Sequence, residues 1–261
     1  MINKLVNDGE KIKLSGFNNL TKILSFNFYD FCITVDEQQR AEYIEWINEK
    51  YSAQRITEIS EKVCNIIEAN ILGVSKQDYD PVGASTMVLM SDIKGGGDHP
   101  RPESSQVSMH LDKSHITAHT YPDAADPDGI CTFRVDIDIA TCGEIVPLSA
   151  INYLFEAFEC DVVYIDYVVR GYTRLENGRK IYNDQKLDSI QDYISKDVLS
   201  NYKFRSDINM PKDNIWQTRL LIGDMNPKRY LMEEYDIDHP EVPHKMELLD
   251  KEMREVFQMI H

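Results

Sequence analysis

The chain has 261 residues, of which 42% are hydrophobic and 28% charged, a balance typical of a folded globular protein. Its 44 acidic residues outnumber its 28 basic ones, and the formal net charge of −16 argues against non-specific binding to nucleic acid. The sequence has no apolar run long enough to span a membrane, and its start lacks the apolar centre of a secretory signal. The five cysteines are scattered and form no CxxC pair, so we expect reduced thiols and a cytoplasmic protein.

Alternation of apolar and polar residues predicts the first strand over 20–34, where Leu24, Phe26 and Phe28 would share one face. Asp36 then predicts the start of a helix. In the rest of the first half we predict a second helix over 56–67, strands at 71–79, 85–93, 107–111, 116–120 and 132–139, and an exposed glycine-rich loop at 94–105.

The second half is predicted to contain helices at 147–159, 190–202 and 244–259, and strands at 162–172, 180–182 and 215–222. Asn177-Gly178 lies between two of these strands and is a strong signal for a hairpin turn. The polar stretch 183–189 is a candidate internal boundary. Because strands and helices follow one another without regular βαβ alternation, we predict an α+β fold, with helices covering an antiparallel sheet in a sandwich-like arrangement. The whole chain, 1–261, is expected to form a single domain.

The segment 111–122 holds the densest set of reactive side chains. It places Ser114, His115 and His119 between two predicted strands, where a rigid sheet could hold them. A serine near a histidine suits a nucleophile with its base. His115 and His119 would share one face of a strand, and two such histidines could bind a metal. By themselves, residues of these types on a strand more often have a structural role.

Short motifs along the chain occur in an order typical of one enzyme family. They are Gly16-Phe17-Asn18-Asn19-Leu20-Thr21-Lys22, Gln77-Asp78-Tyr79-Asp80-Pro81, Gly83-Ala84-Ser85, Leu111-Asp112-Lys113-Ser114-His115, His119-Thr120-Tyr121-Pro122, Cys131-Thr132-Phe133-Arg134, Thr141-Cys142-Gly143, Ile165-Asp166-Tyr167 and Val169-Arg170-Gly171. With them the chain resembles the bacterial S-adenosylmethionine decarboxylases, in particular their longer, magnesium-stimulated branch. After Asp184 the similarity is looser. The segment Lys251-Glu252-Met253-Arg254-Glu255 is similar there but carries no functional motif.

The resemblance implies a proenzyme that cuts itself between Lys113 and Ser114. The products would be a β chain, 1–113, and an α chain, 114–261, which begins with a pyruvoyl group made from Ser114. In this family the serine hydroxyl converts the preceding amide into an ester, and elimination followed by hydrolysis leaves the ketone. The ketone can form a Schiff base with the substrate amine and accept the electrons released on decarboxylation, as pyridoxal phosphate does in other enzymes.

The same resemblance implies roles for three further side chains. His119 would be the base of the self-cleavage, and an imidazole that titrates near neutral pH suits proton removal. Cys142 would return a proton to the α-carbon after carbon dioxide leaves. Ser85 would assist processing. His115 would point to the face of the strand opposite to that of Ser114, so we expect a structural role for it.

The implied substrate is S-adenosylmethionine, whose decarboxylated form is the aminopropyl donor of spermidine biosynthesis. Tyr79 would stack on the adenine ring, and Asp123 would accept hydrogen bonds from the ribose. A core tyrosine and a turn aspartate are the alternative interpretations of these two residues. The α and β chains would stay associated and form a multimer of αβ units. Magnesium is implied as an activator, and the sequence nominates no metal ligand.

Two other functions are compatible with parts of the sequence. A metal-dependent hydrolase could use His115 and His119, but no third ligand is clear, since His99 and His110 lie in or beyond the glycine-rich loop. A non-catalytic oligomeric binding protein could be a family member that lost its activity, but the intact set of reactive residues argues against it. Self-cleavage into two fragments would distinguish the decarboxylase from both.

Overall fold

The computed structural model describes residues 20–92, 114–175, 177–232 and 235–259. The strands are β1 (Thr21–Ile33), β2 (Ala69–Asp78), β3 (Ala84–Asp92), β4 (Ser114–Asp123), β5 (Ile130–Cys142), β6 (Val162–Arg170), β7 (Thr173–Arg174), β8 (Lys180–Ile181), β9 (Tyr202–Met210) and β10 (Ile215–Ile222). The helices are α1 (Glu37–Lys50), α2 (Ala53–Ile66), α3 (Ile151–Ala157), α4 (Lys196–Asn201) and α5 (Val242–Gln258). Single 3₁₀ turns cover Pro147–Ala150, Ile190–Tyr193 and Pro227–Arg229.

Eight of the strands form one antiparallel sheet, in the order β2-β3-β4-β5-β1-β6-β10-β9. β1 lies near the middle and is paired along its whole length with β5, and over 21–29 with β6. Helices pack on this sheet, so the predicted α+β, sandwich-like fold is confirmed. Among the described residues, no helix is both long and apolar enough to cross a membrane.

One face of the sheet, the helix face, carries the apolar core. Leu24, Phe26 and Phe28 of β1 are buried on this face, as their alternation predicts. Phe28 packs there against Phe155 of α3 and against Phe158, with ring centroids 6.0 and 5.2 Å away. Helices α1 and α2 cover β2 to β5 on the same side.

The opposite face, the open face, carries mostly polar side chains, and α5 crosses it near one end of the sheet. At that crossing the hydroxyl of Tyr164 donates a hydrogen bond to the carbonyl of Val256. β4 runs from Ser114 at one end of the sheet to Asp123 at the end that α5 crosses. We call these the Ser114 end and the Asp123 end.

Three predicted helices follow their sequence signals. The side chain of Asp36 caps α1 by accepting a hydrogen bond from the backbone N–H of Gln39 at 2.8 Å, which confirms the predicted start. α2 buries Ile56 and Ile59 along one face, as predicted. The C-terminal helix is confirmed and begins slightly earlier than expected, at Val242, with a proline in its first turn.

The single helix predicted over 190–202 is wrong. The structure has a 3₁₀ turn, then the short α4, and then β9, which begins at Tyr202 and forms an edge of the sheet. Side chains from Arg205 to Met210 on β9 are all exposed. An edge strand with no buried face leaves no alternating pattern, so the sequence does not reveal it.

The Asn177-Gly178 turn forms as predicted, but it joins two very short strands, β7 and β8. β6 instead pairs with β1 and β10 in the main sheet, so no long hairpin surrounds this turn. The strand predicted at 107–111 and the loop predicted at 94–105 lie outside the described residues.

A buried ion pair ties the stretch 183–189 to the sheet. The ammonium of Lys22 lies 2.6 Å from a carboxylate oxygen of Asp184, and the lysine side chain is fully buried. The indole N–H of Trp216 donates to the carbonyl of Leu187 at 3.1 Å. Strands from both sides of this candidate boundary belong to the same sheet.

A second buried charge lies at the Asp123 end, immediately before β6. Asp161 is fully buried, and its carboxylate accepts hydrogen bonds from Arg229 at 2.9 Å, from Tyr230 at 3.3 Å and from the backbone N–H of Phe31 at 3.1 Å. Burial raises the pKa of Asp161 and of its neighbour Asp30, and the positive charge of Arg229 opposes both shifts. Arg229 therefore stabilises a carboxylate that has left water.

The Arg229→Met variant should unfold more easily, by about 3 kcal/mol, because it leaves the Asp161 carboxylate buried without its cation. Urea unfolding at pH 7 measures this change. The control is Arg55→Met, which removes an exposed arginine beside Glu58 and should change stability by less than about 0.5 kcal/mol. Equal, small losses in both variants would show that Asp161 does not depend on Arg229.

Candidate active site

Ser114 and Cys142 meet at the Ser114 end of the sheet, where β4 begins and β5 ends. The hydroxyl oxygen of Ser114 accepts a hydrogen bond from the backbone N–H of Cys142 at 3.1 Å and lies 3.4 Å from its sulfur. Ser114 is almost fully buried, whereas Cys142 is partly exposed. A fixed hydroxyl therefore lies beside a thiol that a ligand can reach.

The Thr141-Cys142-Gly143 motif forms the strand end that carries the thiol. Cys142 is the last residue of β5 and pairs with Thr21 of β1. The hydroxyl of Thr141 donates to the carbonyl of Lys22 at 3.3 Å. Gly143 has a φ of +71°, in the left-handed region that favours glycine, so the chain turns away directly after the thiol.

Ser85 and His119 form a second pair, on the open face. They lie directly opposite each other in the register of β3 and β4, a position in which the two Cβ atoms are about 4.5–5.5 Å apart. β3 begins very close to β4, since a Cβ on Gly83 would lie only 2.8 Å from the carbonyl oxygen of Thr120. The glycine of the Gly83-Ala84-Ser85 motif thus permits the approach that presents Ser85 to His119.

The two pairs are far apart within one chain. Burial alternates along β4, so Ser114 and Ile116 lie on the helix face, while His115 and His119 lie on the open face. Five residues of strand separate Ser114 from His119, which is about 17 Å. His115 lies on the face opposite to Ser114, as expected, and His119 lies on the same face as His115. One chain alone does not bring the expected base to the serine.

Tyr79 and Asp123 lie at the Asp123 end, on the same side of the molecule as Ser85. Both side chains are exposed and can contact a ligand. The backbone N–H of Tyr79 donates to the carbonyl of Gly83 at 2.8 Å. Asp123 accepts a hydrogen bond from the backbone N–H of Ala125 at 2.9 Å, so it has the turn role that its sequence context allows. Lys113 lies outside the described residues.

His115 and His119 do not form a metal site together. Four residues of strand separate them by about 13 Å, whereas the ligand atoms of one zinc ion each lie about 2 Å from it. Within the described ranges, no group of three His, Cys, Asp or Glu residues could hold a metal ion. The hydrolase alternative therefore loses its geometric basis.

The sequence matches the family model of S-adenosylmethionine decarboxylase over residues 45–171. Curated proteins named S-adenosylmethionine decarboxylase proenzyme match most of the chain. The one from Alkaliphilus metalliredigens (strain QYMF) is 46% identical and covers 95% of this chain and 95% of its own. The one from Xanthomonas euvesicatoria pv. vesicatoria (strain 85-10) is 47% identical, with the same coverage of both chains. This chain belongs to the S-adenosylmethionine decarboxylase family.

Membership of the S-adenosylmethionine decarboxylase family confirms the resemblance inferred from the motifs. The matched region contains all the described residues for which a site role is expected, namely Tyr79, Ser85, Ser114, His119, Asp123 and Cys142. Among solved structures, the adenosylmethionine decarboxylase from Aquifex aeolicus VF5 matches at 16% identity and a TM-score of 0.34, over 65% of this chain and 98% of that chain. That likeness is too distant to transfer any feature.

Glu252, for which the sequence suggests no role, lies on α5 beside the Asp123 end. It is half-buried, and the hydroxyl of Thr132 lies 3.5 Å from its carboxylate. Burial raises the pKa of Glu252 to about 7, and the negative charges of Asp126, Glu255 and Asp123 add to the shift. The C-terminal motif that contains Glu252 gives no hint of this contact, because it does not show which strand end α5 crosses.

The Glu252→Gln variant should make thermal stability less dependent on pH. The folded-state pKa lies above the ordinary value of 4.5, so the stability that the neutral carboxyl contributes is complete below pH 4.5 and is lost as pH rises through about 7. Melting temperatures between pH 5 and 8 should therefore fall less in the variant than in the parent. Glu247→Gln, on an exposed position of the same helix, is the control. Identical pH profiles for Glu252→Gln and the parent would contradict the expectation.

Proposed function

We propose that this protein is a proenzyme that cleaves itself between Lys113 and Ser114 and then decarboxylates S-adenosylmethionine, which gives the aminopropyl donor of spermidine biosynthesis. The observation that carries the proposal is the contact of the Ser114 hydroxyl with the backbone N–H and the sulfur of Cys142. The curated relatives named above are proenzymes of this decarboxylase. The five free cysteines favour a cytoplasmic enzyme.

Self-cleavage needs only groups of the chain and water. The Ser114 hydroxyl oxygen adds to the carbonyl carbon of Lys113, the C–N bond breaks, and the hydroxyl proton passes to the nitrogen, so the amide becomes an ester. A base then removes the α-proton of Ser114, and the carboxylate of Lys113 leaves as a carbon–carbon double bond forms. Water hydrolyses the resulting enamine to a ketone and releases ammonia. The N–H of Cys142 orients the attacking oxygen for the first step.

A pyruvoyl group at position 114 fits its surroundings. The position is nearly closed to water and lies beside the N–H and the thiol of Cys142. When present, such a group supplies an electron sink for the α-carbon of the substrate. The thiol of Cys142 is partly exposed at the same strand end, so it can hold the proton that the α-carbon receives after carbon dioxide leaves.

We expect the two products of cleavage to remain one folded unit. β1 of the 1–113 fragment is paired on one side with β5 and on the other with β6, both from the 114–261 fragment. β3 of the first fragment is likewise paired with β4 of the second. Separation would leave these backbone groups unpaired and expose the apolar core, so association is strongly favoured.

The active site is proposed to form between two copies of the chain. Ser85 and His119 lie about 17 Å from Ser114 in their own chain, so a base within hydrogen-bond reach of Ser114 must come from elsewhere. On the open face, the row of residues at the level of His115 is apolar: it contains Ile23, Leu89, Ala140, Val168 and Ile215. A polar sheet face with an apolar stripe suits packing against a second copy. Cys142 follows Ala140 by two residues on β5, so the thiol beside Ser114 also belongs to the open face, and in this multimer His119 of one copy would serve Ser114 of the other there.

The substrate would lie between the same two groups of residues. Tyr79 and Asp123 come from the end of the sheet that carries His119, and they would bind the adenine and the ribose while Ser114 and Cys142 act on the amino acid part. Magnesium is proposed as an activator on the resemblance to the magnesium-stimulated branch of the family.

Ser114→Ala should leave the chain whole, at 30.2 kDa on a denaturing gel, and inactive, because no hydroxyl can attack the Lys113 carbonyl. The parent should run as two fragments, 1–113 and 114–261.

Cys142→Ala should still self-cleave but decarboxylate at least about 100-fold more slowly, because the proton donor is missing. If the Cys142→Ala variant decarboxylates as fast as the parent, Cys142 is not the proton donor. An uncleaved parent chain that releases carbon dioxide would overturn the proposed function.

Co-expression of Ser114→Ala and His119→Ala chains with different tags tests the shared site. If the base acts between copies, the His119→Ala chain keeps its serine and receives the imidazole of its partner, so only this chain should be cleaved. Each variant expressed alone should stay whole. Fragments are identified by tag on a gel. If neither tag shows cleavage in the mixture while the parent cleaves fully, His119 acts within its own chain and the proposed multimer is wrong.

A further inference from the structure

A carboxylate stands directly opposite His119 but is fully engaged elsewhere. Asp136 of β5 is the register partner of His119. The Nε of Arg134 donates to one oxygen of Asp136 at 2.7 Å, and its Nη2 donates to the other at 2.5 Å. The amide of Asn27 donates to the first oxygen as well. In the described part of the chain, the imidazole of His119 makes no hydrogen bond, so it is free to act on a group from outside its own chain.

The same arginine also contacts the ring beside the imidazole. Tyr121 lies two residues beyond His119 on the open face, with ring centroids 6.4 Å apart and planes inclined by 27°. The guanidinium of Arg134 lies over the ring of Tyr121 at 5.3 Å and over the ring of Tyr29 at 5.8 Å. Arg134 therefore touches two of the side chains that surround the imidazole, the opposing carboxylate and the stacked ring.

We propose that Arg134 is a positioning residue for self-cleavage: it holds the carboxylate of Asp136 away from His119 and supports the ring that orients the imidazole. The proposal rests on the assignment of His119 as the processing base. A general base must be unprotonated when it acts. A free carboxylate within about 4–6 Å would favour the protonated imidazolium and withdraw the base at neutral pH.

The remaining groups around the imidazole do not replace Asp136 in this role. Asp138, diagonally opposite on β5, accepts a hydrogen bond from the hydroxyl of Ser25 at 2.5 Å. β3 presents the uncharged Ser85, and α1 and α2 pack on the other face of the sheet. The charged or titratable groups to be considered are thus Asp136, Asp138, Arg134, Tyr121 and Tyr29. Of these, Asp136 is the carboxylate in the directly opposed position.

Imidazole titration tests the proposal without any reaction. In a Ser114→Ala background, which keeps the chain whole, NMR follows the seven histidines, and His119→Gln assigns the signal of interest. Arg134→Met should raise the titration midpoint of His119, and Arg134→Met with Asp136→Asn should return it. Arg219→Met is the matched control, since Arg219 lies on the same face over Tyr164, three strands from Asp136. It should leave the midpoint unchanged.

Self-cleavage provides the second readout, with Ser114 intact. In Arg134→Met the pH midpoint of the cleavage rate should rise by the same amount, and the rate at pH 7 should fall about threefold. The double variant should recover the parent profile. Because Arg134 is 43% exposed, its ion pair contributes little to stability, and the variant should fold.

Two results would overturn the role of Arg134. One is an unshifted midpoint of His119 in Arg134→Met. The other is a shift that persists in the double variant, which would trace the effect to the lost arginine rather than to the released carboxylate. A parent chain that never cleaves would instead reject the proposed function, and the titration would still decide what Arg134 does to His119.

Discussion

The two-residue period of a β-strand determines how the reactive groups of this protein are distributed. β4 carries both the serine and the histidine of the family motif, but their positions differ by five, an odd number. The strand therefore presents Ser114 to the helix face and His119 to the open face, about 17 Å apart. Neighbouring strands add to each group: Cys142, at the end of β5, lies beside Ser114, and Ser85 of β3 lies opposite His119. Under the proposed function, these two groups would be half-sites, each incomplete within one chain.

Burial and charge follow the same division. The helix face is apolar over most of its area, and the charges that enter the core at its two ends are neutralised by specific partners, Asp184 for Lys22 and Arg229 for Asp161. On the open face, hydrogen bonds and arginine–ring contacts instead connect the side chains to one another. Such a network keeps polar side chains in fixed positions although none of the described helices packs on the middle of this face. Polar side chains held in fixed positions suit a reactive site or a surface that binds a partner.

The fold was largely accessible from the sequence because most strands have one buried face. β1, β4 and β5 alternate in burial over most of their length, and Asp36 marks the first helix, so these elements could be predicted with local rules. β9 could not, because an exposed edge strand carries no burial pattern. The motifs likewise identified the family, and they supply the expected site residues. The sequence did not predict how these side chains are arranged in space. Which residue faces His119 depends on how the strands pair, and the strand order, with β1 between β5 and β6, was not evident from the sequence.

The buried ion pair of Lys22 and Asp184 favours folding of the chain before the proposed cleavage. They belong to one polypeptide before the proposed cleavage and would belong to two afterwards, and in the uncut chain the lysine side chain is completely buried. Separate fragments would have to bring an ammonium group into an apolar interior before its counterion was in place, a step with a penalty of several kcal/mol per ion. In the uncut chain both residues belong to one polypeptide, so the ion pair can form as that chain folds. The proposed cleavage would therefore follow folding of the whole chain, and the two fragments would keep an ion pair that they could not readily form after separation.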